Sequence, residues 1–323
     1  MPKDRELYHS VKRSRRTRHF DARIPRDDEL DAVSTAIRSL DPQGHRTAQV
    51  LRDTFDQLYD GQRTGRYRWD QLYNTERTQG GKLVEINLHR EFNFEDGDKL
   101  DYRIAGIEVD CKYSQKLNAW MIPPEAHGHL CLVVWAEDNA DPKWSTGLVR
   151  TTTDRLHTSG NRDAKATLNG AGRKSITWLF KNAALPPNVL LQLDRTVVER
   201  IMSQKSGQKR INDLFRAALC EKVGRAVVAT VAQQDDYMKR VRGNGGARTA
   251  LQPQGILILG QFQSHGAIAK ALKIPVPGRG ESVSVQVTPA KSSKVGAVQI
   301  GGKFWKIAKP ADPIVRAPIL PKI

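Results

Sequence analysis

Two aspartates and a lysine, Asp101, Asp110 and Lys112, are the residues of this chain whose types and spacing could do chemistry. They lie in residues 100–113, which read L-D-Y-R-I-A-G-I-E-V-D-C-K-Y. Two short β-prone runs flank Ala105-Gly106, and a two-residue loop with glycine second predicts a type I′ hairpin turn. That register puts Asp101 opposite Asp110 and Arg103 opposite Glu108. Side chains alternate along the second strand, so Asp110 and Lys112 share a face while Val109, Cys111 and Tyr113 point to the other.

Like charges directly opposite on a sheet are destabilising, with Cβ atoms only about 4.5–5.5 Å apart. A divalent cation between them removes the conflict. Mg²⁺ takes carboxylate oxygens, keeps several waters and accepts phosphate oxygens. A lysine beside it orients the attacking water or stabilises charge developing on phosphate. The pattern predicts metal-assisted hydrolysis of a phosphodiester. A solvated strand face with a Lys–Asp ion pair accounts equally for Asp110 and Lys112, so these residues alone leave both readings open.

The elements that must position this hairpin are legible around it. Leu30, Val33, Ile37 and Leu40 recur at helical spacing over residues 27–40, and Val50, Leu51, Phe55 and Leu58 over 47–59, with Gly61 placed to close the second helix. A helix over 83–91 sets Glu85 within an apolar stretch, where a carboxylate is costly unless paired or bound to metal. Glu85 is therefore the candidate third acidic group. Residues 130–135 are apolar and β-branched, as a central strand requires, and 147–151 predict another strand. Residues 120–124 predict a loop. His127-Gly128-His129 has no helical ligand spacing and no nearby cysteine, so it predicts a turn and not a metal site. The result is a mixed α+β fold, a mixed sheet flanked by helices.

Residues 179–188 contain Pro186-Pro187 and predict a linker. Beyond it the pattern changes. Asp194 is an N-cap for a helix over 196–202. Residues 208–221 are amphipathic through Ile211, Leu214, Phe215, Ala218 and Leu219. Residues 224–232 are small and apolar. A basic helix over 235–242 ends in Lys239, Arg240 and Arg242, ahead of Gly243-Asn244-Gly245-Gly246 and Arg248. Strands follow at 255–260, 283–287 and 298–307. Short helices followed by β-ribbon resemble a winged helix-turn-helix, with the basic helix and its glycine turn facing DNA. Lys209, Arg210, Lys239, Arg240, Arg242 and Arg248 are the candidate DNA-binding residues. A winged helix that binds protein has the same pattern.

Charge separates the halves. Residues 1–180 hold 29 Lys and Arg against 27 Asp and Glu, whereas residues 181–323 hold 23 against 8, so nearly all of the +17 lies in the second half. Such a half calls for a polyanion, most simply nucleic acid. A further basic cluster, Lys12, Arg13, Arg15, Arg16 and Arg18, marks residues 1–26 as an arm without hydrophobic periodicity. Three dispersed cysteines and no CxxC pair argue against a disulfide scaffold or zinc site and fit reduced thiols in the cytoplasm. No apolar run is long enough to span a bilayer, and no secretory signal is visible.

Leu58-Tyr59-Asp60-Gly61 resembles the K-x-D-G nucleophile motif of DNA ligases with leucine in place of lysine. Without an amine there is no adenylation. A closer resemblance runs through residues 53–66, D-T-F-D-Q-L-Y-D-G-Q-R-T-G-R, through 83–91, Val109-Asp110-Cys111-Lys112 and Met121-Ile122-Pro123-Pro124-Glu125, and through 224–248, which contains V-A-T-V-A-Q-Q-D-D-Y-M-K-R-V-R-G-N-G-G-A-R. These segments are similar to type IIE restriction endonucleases of the PD-(D/E)xK superfamily, from about residue 30 to 318. The resemblance implies a homodimer with a PD-(D/E)xK nuclease domain at 27–180, a linker at 181–187 and a CAP-like helix-turn-helix domain at 188–323. It implies catalytic roles for Glu85, Asp101, Asp110 and Lys112, with the three acids on Mg²⁺. It also implies cleavage of double-stranded DNA at GCCGGC, with a second DNA copy as allosteric effector. Leu100, not proline, precedes Asp101, and that proline is often absent in the superfamily. Two alternatives remain beside this one: a DNA-binding regulator with an inert first domain, and a DNA-joining or topoisomerase-like enzyme.

Overall fold

The computed structural model describes residues 26–157, 163–291 and 296–321. Of the basic arm, only Arg26 lies among them.

Helix α1 (Asp28–Leu40) starts where the Asp27 carboxylate accepts the Leu30 amide, and buries Leu30, Val33 and Ile37. Leu40, though in period, is the last helical residue and is exposed. Helix α2 (His45–Tyr59) buries Val50, Leu51, Phe55 and Leu58. It does not close on Gly61. Asp60 takes the left-handed conformation at φ 45°, and Gly61 opens the next short helix, α3 (Gly61–Thr64). An Asp tolerates that conformation because its short side chain is polar. Helix α4 (Asn74–Phe92) is 19 residues long. Gly80-Gly81 and the polar residues before them hide its first half from the periodicity at 83–91.

The first sheet has six strands in sequence order: β1 (Glu95–Asp96), β2 (Tyr102–Ile104), β3 (Ile107–Ser114), β4 (Leu130–Glu137), β5 (Lys143–Arg150) and β6 (Thr177–Ala184). Only β3 and β4 run parallel, so the sheet is mixed. One face carries Val109, Cys111, Leu132 and Val134 into a core shared with α1, α2 and α4. The other carries Cys131, Val133 and Val149 into a core with Trp120, Ile122, Leu156 and Leu168. Covered on both faces, β4 needs its unbroken apolar run. Strand β6 corrects the linker expected at 179–188, which is a strand as far as Ala184. After β5, helix α5 (Gly170–Lys174) is a single capped turn.

The second half begins with α6 (Val189–Gln192), α7 (Arg195–Met202) and α8 (Gly207–Ala217). Asp194 caps α7 as expected, its carboxylate accepting the Thr196 amide at 2.8 Å. Helix α8 stops at Ala217, short of residue 221, and the chain turns through Cys220 at φ 64°. Then come β7 (Lys222–Val223), α9 (Arg225–Ala232), α10 (Ala247–Leu251), β8 (Ile256–Leu259), α11 (Gln263–Leu272), β9 (Ser282–Ala290), β10 (Ala297–Ile300) and β11 (Lys303–Ile307). Strand β9 pairs with β7, β8 and β11, all antiparallel. Residues 298–307 form a hairpin through Gly301-Gly302 and not one strand.

The expected basic helix at 235–242 is absent. Only Tyr237–Arg240 winds into a 3₁₀ turn. Tyr237, Met238 and Val241 pack on the core of the second half, but three glycines follow the stretch at once and do not sustain a helix.

The halves meet where α3 packs on α9. A Cβ on Gly61 would lie 2.0 Å from the Thr230 Oγ1, so only glycine permits this approach. Gln62 donates to the Asp235 carboxylate at 3.1 Å, and Tyr67 packs in the core formed by α7, α8 and α9. The ligase-like tetrapeptide is thus a helix end and a joint, with Leu58 buried where a lysine nucleophile would stand. Among the described residues no helix is long and apolar enough to cross a membrane.

Candidate active site

The hairpin has the register that the sequence dictates. Tyr102 pairs with Val109, Arg103 with Glu108 and Ile104 with Ile107. Ala105 at φ 53° and Gly106 at φ 76° are both left-handed, as a type I′ turn requires. The backbone ladder ends at Tyr102, one residue short of Asp101. Asp101 is held instead by its side chain, whose Oδ2 accepts the Cys111 amide at 2.8 Å.

That bond brings Asp101 beside the β3 face that carries Asp110 and Lys112. The Lys112 ammonium lies 2.7 Å from the Asp110 Oδ1, 3.2 Å from the Asp101 Oδ2 and 2.9 Å from the Cys111 carbonyl. Asp110 is buried, and the Cys131 thiol approaches its Oδ2 at 3.8 Å. Burial pushes the Asp110 carboxyl up to about 7; Lys112 opposes that shift and Asp101 adds to it. Burial works against the Lys112 ammonium, but Asp110 and Asp101 outweigh it and raise its pKa. Asp101 and Asp110 thus converge on the one ammonium.

Glu85 stands apart. Its carboxylate binds Lys82 at 2.5 Å, one turn back on α4. Among the described residues no three His, Cys, Asp or Glu side chains converge at metal-binding distance. Helix α4 is nonetheless tied to the hairpin, because the Tyr102 hydroxyl donates to the Glu85 carbonyl at 2.7 Å.

Sequence reasoning passed over Glu108 and Cys131. Glu108 shares the strand face of Asp110 and Lys112, and that period was the available signal. Its carboxylate accepts the amides of Asp98, Lys99 and Leu100, and the Asp98 amide leads in lowering its pKa to about 2. Cys131 sits next to Asp110 through the β3–β4 ladder, which no local pattern announces.

The donor set suits a hard divalent cation. Carboxylate oxygens are its preferred ligands. A buried carboxyl whose proton affinity is raised is also a group that a nearby cation would ionise. Asp101 and Asp110 are the residues that could hold one.

The six basic candidates divide. Lys209, Lys239 and Arg242 are exposed. Arg240 pairs with Asp236 at 3.0 Å. Arg210 turns inward and donates to the carbonyls of Val231 at 2.6 Å and Ala232 at 2.7 Å, which closes the C-terminal end of α9. Arg248 is half-buried, with its Nε on the Ile258 carbonyl at 3.0 Å, and burial lowers its pKa.

A mixed sheet at which two carboxylates and an ammonium converge, joined to a basic second half of helices and strands, has the make-up of a DNA-cleaving enzyme. The family model described as restriction endonuclease NaeI matches residues 31–316. The type II restriction enzyme NaeI of Lentzea aerocolonigenes is 50% identical over 304 residues, covering 92% of this chain and 95% of that enzyme. The chain belongs to the restriction endonuclease NaeI family, and is thereby a type II site-specific deoxyribonuclease.

Proposed function

We propose that the chain hydrolyses phosphodiesters of double-stranded DNA with Mg²⁺ at the Asp101–Asp110 face. The convergence of both aspartates on Lys112, at 3.2 and 2.7 Å, carries this reading. A bound Mg²⁺ supplies Lewis acidity toward the scissile phosphate and lowers the pKa of water. Asp110 and Asp101 hold the cation. Lys112, beside both aspartates, would place its charge next to the phosphate and the attacking water. Glu85 is the third acid, reached if it parts from Lys82.

The nuclease unit ends with β6 at Ala184, and residues from 188 onward bind DNA. The order α8, β7, α9, α10, β8, β9, interrupted by α11 between β8 and β9 and with β9 between β7 and β8, supports a winged helix-turn-helix there. Lys209, Lys239 and Arg242 reach phosphates from its surface. The active form is a cytoplasmic homodimer. It takes one DNA copy as substrate and a second as effector, and cuts GCCGGC; these last assignments rest on the family resemblance.

Digesting a plasmid of known sequence with Mg²⁺ and mapping the cleaved ends tests the whole. Defined ends at one repeated sequence are expected. No cleavage with Mg²⁺ or Mn²⁺, or cleavage undiminished in EDTA, overturns it.

A further inference from the structure

Glu108 lies two residues before Asp110 on the same face of β3, yet none of the chemistry above uses it. Its Oε1 accepts the Asp98 amide at 2.8 Å, and its Oε2 those of Lys99 at 3.1 Å and Leu100 at 3.0 Å. Arg103, its cross-strand partner, adds a contact at 3.2 Å and also grips the Asp98 carboxylate. Residues 97–101 lie between β1, which ends at Asp96, and β2, which starts at Tyr102. No strand ladder satisfies the three consecutive amides. One carboxylate does so instead, and the next residue along the chain is Asp101.

We propose that Glu108 is a positioning residue for the nuclease centre. It folds residues 98–100 around its carboxylate, so that Asp101 leaves the loop at the point where its Oδ2 meets the Cys111 amide. The separation of the Asp101 and Asp110 carboxylates is set in this way. Glu108 itself touches neither cation nor DNA, because its oxygens are taken by the loop. The proposal rests on the reading of Asp101 and Asp110 as the cation-holding pair. Partners that orient ligands to a metal typically change affinity or activity by about 10–100-fold when removed.

The test uses full-length Glu108→Ala, Glu108→Gln and, as a control, Asp110→Ala. Mn²⁺ binding is followed by calorimetry, single-turnover cleavage against Mg²⁺ concentration, DNA binding without metal, melting temperature, and hydrogen exchange of the Asp98, Lys99 and Leu100 amides. Glu108→Ala should bind DNA and melt close to wild type. Its Mn²⁺ affinity should fall about tenfold or more, its cleavage rate about 10–100-fold, and the three amides should exchange faster. Glu108→Gln keeps one acceptor oxygen and should recover part of each loss. Wild-type Mn²⁺ affinity in a folded Glu108→Ala protein overturns the proposal. Should that variant not fold, Glu108→Gln decides: faster amide exchange with unchanged Mn²⁺ affinity has the same force. If Asp110→Ala also binds Mn²⁺ as wild type does, the cation pair is misassigned and the proposal falls with it.

Discussion

The carboxylate of Asp101 is fixed by the amide of Cys111 at 2.8 Å, beyond the last backbone pair of its own strand. A side chain thus continues a register that the backbone has left. Asp101 can face Asp110 while its main chain stays in the loop, and the distance between the two acids is free of the sheet spacing.

Asp110→Ala should abolish cleavage and leave DNA binding largely intact. The acid is buried beside Lys112, and removing it takes away half of the proposed cation site. Rates with Mg²⁺, with Mn²⁺ and in EDTA, set beside gel-shift affinities, check this. Full activity of the variant would sink the metal reading.

Lys112→Met should slow single-turnover cleavage by about 10²–10³, the usual loss when a stabiliser of developing charge is removed. The ammonium lies between both aspartates, and no neutral side chain restores its charge. A wild-type rate would return Lys112 to a plain ion-pair role.

Acid behaviour should show in the α2 network. Arg52 binds Asp138 through two bonds of 2.6 and 3.0 Å and Asp56 through one of 2.8 Å. Burial pushes Asp56 up to about 6 from 3.8, against the pull of Arg52. The folded state therefore binds more protons than the unfolded one between these values. The stability gained is full below about pH 4 and lost as pH rises through 6. In Asp56→Asn that decline should vanish, a change on the order of 3 kcal/mol between the two ends. Urea unfolding at intervals across this range measures it; parallel wild-type and variant curves would refute it.

Gly61→Ala should destabilise the joint by about 1–3 kcal/mol, the usual cost of overpacking. The new methyl would meet the Thr230 Oγ1 at 2.0 Å and the Arg66 carbonyl at 2.8 Å. Thr230→Ala in the same chain should recover part of the loss, whereas Thr230→Ser, which keeps the oxygen, should not. Additive effects of Gly61→Ala and Thr230→Ala in thermal melts would contradict the contact.

Replacing Lys209, Lys239 and Arg242 together by Ala should flatten the salt dependence of DNA binding, by a log–log slope of about 0.9 for each phosphate left without its cation. Arg210→Ala should act differently: it uncaps α9 and lowers the melting temperature. An unchanged salt slope in the triple variant would place the DNA elsewhere.

By itself the sequence determined what depends on neighbours along the chain. The type I′ turn at Ala105-Gly106, the pairing of Arg103 with Glu108, the shared face of Asp110 and Lys112 and the apolar central strand all follow from periods of two and from turn chemistry. The cap at Asp194 was legible for the same reason. Tertiary structure decided where the long side chains go. Lysine, arginine and glutamate have reach enough to choose among several partners, and sequence spacing does not rank those partners. Glu85 went to Lys82, Arg210 to the end of α9, Arg248 to the Ile258 carbonyl, and Glu108 to three loop amides. The tertiary fold also left only a 3₁₀ turn, Tyr237–Arg240, within residues 235–242 and made residues 177–184 a strand. A short segment with weak periodicity takes the conformation that its packing partners satisfy, and those partners come from far along the chain.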